Sequence, residues 1–68
     1  MNELAVSIGH LIRTSRELQK ISQESLALQC GIDRSYLGRI ERGEVNITVL
    51  KLDLIARHLG VSPKDLLP

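Results

Sequence analysis

Three arginines, Arg34, Arg39 and Arg42, fall within one short stretch, and the only acid among them is Glu41. A guanidinium is a planar fork of donors that grips a carboxylate, a phosphate oxygen pair or the O6/N7 edge of guanine with two parallel hydrogen bonds. Solvated surface arginines are the ordinary alternative, so the elements that carry these residues must decide between the two. Other chemistries have weaker material. His10, Cys30 and His58 are scattered without a metal-ligand spacing, so no metal and no cofactor is expected. Asp53 and Glu41 stand apart from any nucleophile or second carboxylate, so the chain is expected not to be an enzyme.

The 68 residues suffice for one domain, 1–68, near the lower limit for independent folding. Apolar residues make up 43%, yet Phe and Trp are absent and Tyr36 is the only aromatic, so Leu, Ile, Val and Ala must build the core. A lone cysteine rules out an internal disulfide, which leaves a partner chain as the expected staple for so small a core. No apolar run approaches the ~20 residues needed to span a bilayer. The start, MNELAVSIGHLIR, lacks the basic opening and unbroken apolar stretch of a secretory leader. A cytoplasmic location, with no membrane contact, is expected. The net charge of +1 is uninformative; the local basic stripe says more.

Helical spacing predicts a first helix over about Leu4 to Lys20, with Ile8, Leu11, Ile12 and Ser15 on one face. Ser22 is a good N-cap for a second helix ending at Gly31, and Asp33 for a third ending before Gly43. A fourth starts near Asn46 or Thr48 and closes at Gly60, with Val49, Leu52, Ile55, Ala56 and Leu59 toward the core. Ser62 and Pro63 open a short fifth helix. The expected fold is all-α, with five short helices.

The second and third helices are joined by Gly31-Ile32-Asp33, the length and chemistry of a helix-turn-helix spanning about 22–42. Leu26, Ala27, Cys30, Leu37 and Ile40 supply contacts between them, while Arg34, Ser35, Gly38, Arg39 and Arg42 lie off the buried stripe. Cys30 serves there as a small hydrophobe. The segments SQESLALQCGIDRSYLGRIERGEVN and LDLIARHLGVS resemble the Cro/C1-type helix-turn-helix family, whose fold is the compact, lambda-repressor-like DNA-binding domain. Asp33-Arg34-Ser35-Tyr36 is also similar to the controller proteins of restriction–modification systems, which are dimers of similar size.

The resemblance implies that Arg34, Ser35 and Arg39 face base edges in the major groove, that Gln23 contacts a phosphate, and that Arg42 and Asn46 lie near the DNA backbone. Helix N-termini attract phosphate through unpaired N–H groups, which suits Gln23 independently. For Arg34 phosphate contact is the alternative. Ser35 either contacts a base or caps or solvates the first turn, and Tyr36 can pack its ring against the second helix while its hydroxyl reaches a phosphate. Matching family positions also imply a buried ion pair between Arg16 and Glu41. Two departures stand out: Gly38, where many relatives carry a side chain, and Glu44-Val45, where basic residues often follow Gly43.

Leu50 and Leu54 project from the fourth helix away from its core stripe, with Ile47 nearby, and relatives commonly place polar groups at the matches of 50 and 54. Isolated exposed leucines are ordinary. A pair one turn apart beside an isoleucine predicts a homodimer interface of Ile47, Leu50 and Leu54. The expected function is sequence-specific regulation of transcription by a homodimer on a double-stranded operator of two half-sites. The alternative is an antitoxin that uses the same DNA-binding core and also binds a partner toxin.

Overall fold

Asn2 starts the first helix by accepting hydrogen bonds on its side chain from the amides of Leu4, at 2.8 Å, and Ala5, at 3.3 Å. Capping of this kind satisfies N–H groups that have no partner inside a helix. In this computed structural model residues 2–68 are described, so Met1 of the expected domain lies outside the described residues. Helix α1 runs Glu3–Leu18, α2 Gln23–Cys30, α3 Arg34–Glu41 and α4 Val49–Leu59. Ser22 caps α2 through the Ser25 amide at 3.0 Å, and Thr48 caps α4 through that of Lys51 at 3.1 Å. Asp33 occupies the N-cap of α3 without a side-chain hydrogen bond.

The expected fifth α-helix is instead a single 3-10 turn, Pro63–Leu66. Pro63 opens it, and Leu67 is forced into extended backbone (φ −107°, ψ 138°) because it precedes Pro68. The space between the two prolines holds one turn only. Its backbone bonds, Asp65 to Ser62 at 2.9 Å and Leu67 to Lys64 at 3.2 Å, are of the tighter three-residue kind.

Helix α1 also stops two residues earlier than its pattern suggests. Lys20 adopts a left-handed conformation (φ 58°), the Lys20 amide bonds the Glu17 carbonyl at 3.0 Å, and the Ile21 amide bonds that of Arg16 at 3.1 Å. This is a Schellman closure made by a lysine where glycine is usual.

Every helix contributes to one core, in which Ile12, Leu26, Leu37, Ile40, Ile55 and Leu66 are fully buried. On α1 the buried stripe is Ala5, Ile8, Gly9, Ile12 and Arg16, so Arg16 takes the inner position that the periodicity assigned to Ser15. Val49 was expected inside and is 81% exposed. It lies one turn ahead of Leu52 on the same stripe, but the core ends at Leu52. Half-buried Leu11, Val45, Ile47 and Leu54 pack around the edge.

Close approach fixes α1 against the end of α3. A Cβ on Gly9 would sit 2.6 Å from the Glu41 carbonyl oxygen, and one on Gly43 2.6 Å from the Cα of Val6. Gly43 is also left-handed (φ 73°), so it turns the chain out of α3 where a side chain would be both strained and blocked.

Candidate nucleic-acid interface

The turn between α2 and α3 depends on Gly31, which caps α2 in the left-handed region (φ 68°). The chain then passes Ile32, half-buried against the core, and enters α3 at Arg34. Leu37 and Ile40 are fully buried or nearly so, which turns the opposite face of α3 outward. On that face Arg34, Ser35 and Arg39 are all exposed. Tyr36 is half-buried with its ring packed against the core.

Gln23, Arg34, Ser35, Gly38, Arg39 and Arg42 together line a cleft of about 310 Å³ between the start of α2 and the outer face of α3. Gly38 floors it. A Cβ there would lie 3.1 Å from Nη1 of Arg42 and 3.6 Å from Oε1 of Gln23, so its absence leaves room for both side chains to lie across the helix. Among the described residues Arg34 and Arg39 make no ion pair, and both side chains are exposed.

Behind the cleft lies a buried network. The Arg16 Nε donates to Glu41 Oε2 at 2.7 Å, its Nη2 to Glu41 Oε1 at 2.9 Å, and its Nη1 to the Ile21 carbonyl at 2.9 Å. Oε1 of Glu41 also accepts from Nε2 of Gln23 at 3.0 Å. The hydrogen bonds that Arg16 donates to Glu41 raise its pKa above the usual value, against the opposing effect of burial. Glu41 thus holds the side-chain amide of Gln23, which also lines the cleft. Sequence reasoning had the arginine and the glutamate but missed Gln23 as the third member, since its participation depends on how α2 crosses α3.

Arg42 has a partner as well. Its Nε donates to Glu44 Oε2 at 2.6 Å and its Nη2 to Oε1 at 3.5 Å, both side chains being largely solvated. The hydrogen bond from Arg42 holds the Glu44 carboxyl below the usual carboxylate range, aided by the charges of Arg42 and Arg39.

Asn46 is not brought into the cleft. It lines a separate small recess with Asn2, Leu4, Ala5, Ile8 and Ile47. On α4, Leu50 is 83% exposed and Leu54 half-buried, with half-buried Ile47 just ahead of the helix, and Val49 adds apolar surface beside them that its place on the core stripe had concealed. Cys30 is buried, and burial raises its thiol pKa, which keeps it in the unreactive protonated form. Among the described residues there is no His, Cys, Asp and Glu cluster suited to a metal, and no helix long and apolar enough to cross a membrane.

The profile of a family described as helix-turn-helix matches residues 12–66. The control protein C.BamHI of Bacillus amyloliquefaciens is 39% identical over 67 residues, a match covering 97% of this chain and 83% of that protein. The crystal structure of the restriction-modification controller protein C.AhdI from Aeromonas hydrophila superposes with a TM-score of 0.88 at 37% identity, covering 91% of this chain and 94% of that one. Hydroxypropylphosphonic acid epoxidase from S. wedmorenis contains a similar unit, with a TM-score of 0.92 and 28% identity over all of this chain but only 36% of its own.

Proposed function

The chain belongs to the helix-turn-helix family of DNA-binding transcriptional regulators, and we propose that it reads a specific operator as a homodimer with α3 of each protomer in the major groove. The observation that carries this reading is the outer face of α3, where Arg34 and Arg39 stand exposed over the cleft and, among the described residues, without ion pairs. Arginine forks on such a face can grip guanine O6 and N7, the commonest specific contact. Ser35 adds a short donor and acceptor beside them. Gln23, presented by Glu41 at the start of α2, and Arg42, at the end of α3, are placed to hold phosphates on either side. Tyr36 and Asn46 are assigned outer phosphate contacts, Asn46 from the loop that leads into α4.

Dimerisation through Ile47, Leu50 and Leu54 is supported by the exposed apolar surface of the first turns of α4 and by the small core, which gains from burial against a second copy. The names of the relatives support a narrower role, control of the genes of a restriction–modification system. No reaction is assigned to the chain, and the epoxidase shares with it only about a third of its own length. The cytoplasm, where the operator lies, is the proposed location.

Selection of bound duplexes from a random pool tests the proposal. The bound sequences should converge on two related half-sites whose centres lie about one helical turn apart, or a multiple, because the dimer sets the spacing. Recovery of no preferred sequence would contradict it.

A further inference from the structure

The acid at the edge of the recognition cleft is Glu44, and three observations set it apart from an incidental surface charge. It is fixed in place: α3 closes with the Gly43 amide on the Ile40 carbonyl at 3.0 Å and the Glu44 amide on that of Arg39 at 2.9 Å, and left-handed Gly43 is pinned against Val6. It engages the Nε and Nη2 edge of Arg42, an edge that a phosphate would otherwise take. And it lies at the C-terminal end of a helix, where the dipole disfavours a carboxylate, so it is not there to stabilise α3.

We propose that Glu44 is an intramolecular competitor for the DNA backbone, occupying Arg42 in the free protein and so limiting the affinity that Arg42 contributes on any sequence. A phosphate arriving at the end of α3 must displace the carboxylate or share the guanidinium with it. Either way fewer counterions are released per complex than an unpaired arginine would release. Sequence-independent binding is held down, while Arg34 and Arg39, which make no ion pair among the described residues, keep their reach toward base edges. This rests on the proposed DNA-binding function of the same face.

The test is a double-mutant cycle read as affinity for random duplex DNA at several salt concentrations. Glu44→Gln in the otherwise native chain should tighten binding by roughly two- to fivefold per protomer. It should also steepen the salt dependence by up to about one unit of slope per protomer. In the Arg42→Ala background the same change should have little effect on either quantity. Equal tightening in both backgrounds would overturn the proposal, since Glu44 would then act only by long-range repulsion. Unchanged or weakened binding with Arg42 present would overturn it as well, the latter identifying Glu44 as a positioning residue. A native protein that binds duplex DNA in a salt-dependent way but ignores Glu44→Gln defeats this inference alone. Failure of the native protein to bind any duplex defeats the proposed function along with it.

Discussion

Arg16 on α1 and Glu41 at the end of α3 form a doubly hydrogen-bonded ion pair, at 2.7 and 2.9 Å, with side chains 10% and 2% exposed. It joins the first helix to the helix that carries the cleft, and through Gln23 it extends to the start of α2. Three elements that must keep a fixed geometry on DNA therefore meet at one carboxylate.

Removing that carboxylate leaves Arg16 buried without its counter-charge. Breaking a buried pair in this way costs about 3–5 kcal/mol, a large part of the stability of so small a domain. Glu41→Ala should lower the melting temperature severely, whereas Glu3→Ala, at the exposed start of α1, should scarcely move it. Calorimetry of the two variants side by side checks this, and equal shifts would show that the pair contributes nothing.

Lys20 offers a stabilising change. A left-handed conformation costs a residue with a Cβ about 1–2 kcal/mol, part of which glycine returns through the greater freedom of its unfolded chain. Lys20→Gly should raise stability by about 0.5–1 kcal/mol with the m-value unchanged. Urea unfolding measures both quantities, and a loss of stability would mean that the lysine side chain makes a compensating contact.

Gly38 separates stability from recognition. An alanine there suits a helix interior better than glycine by about 0.5–1 kcal/mol. Its Cβ, however, would press on the guanidinium end of Arg42 at 3.1 Å and reach contact with Gln23 at 3.6 Å. Gly38→Ala should therefore raise the melting temperature while weakening DNA binding. A variant that gained stability and bound as well as the native protein would show that the floor of the cleft need not be empty.

Much of this was legible from residue types, and the remainder depended on how the chain turns. Ser22, Gly31, Thr48 and Gly60 marked helix ends because their side chains, or the lack of one, satisfy end groups locally. Lys20 carried no such mark, since nothing in a lysine announces a left-handed closure. The last helix shrank to a 3-10 turn because Pro68 constrains Leu67, an effect visible in sequence but easily outweighed by the N-cap signal of Ser62 and Pro63. Spacing alone placed Val49 on the α4 core stripe; where the core ends is a tertiary fact. In the cleft, Arg34, Ser35, Arg39, Arg42 and Gln23 converge as their positions suggested, whereas Asn46 faces a different recess. The pairing of Arg42 with Glu44 required the bend at Gly43, and that of Gln23 with Glu41 the crossing of α2 over α3.

Exposed Leu50 and half-buried Leu54 on α4 bear on assembly. Replacing Leu50 and Leu54 together with glutamate should give a monomer by sedimentation and much weaker operator binding, because a tethered second half-site multiplies affinity through effective concentration. Native protein that stays monomeric at high micromolar concentration would remove this interface from the account.

The most direct test of the central claim, that the outer face of α3 reads sequence, is the binding of Arg39→Ala to every single-base variant of the selected operator. Base contacts carry sequence information, whereas phosphate contacts raise affinity for any duplex. Arg39→Ala should lose roughly 5- to 150-fold on the operator and become indifferent to one or two base pairs in each half-site. Arg34→Ala should behave alike, while Arg42→Ala should weaken all variants by similar factors and make the salt dependence shallower. Uniform weakening of every variant by Arg39→Ala would make Arg39 a phosphate contact and contradict the assignment of α3 as the reading helix.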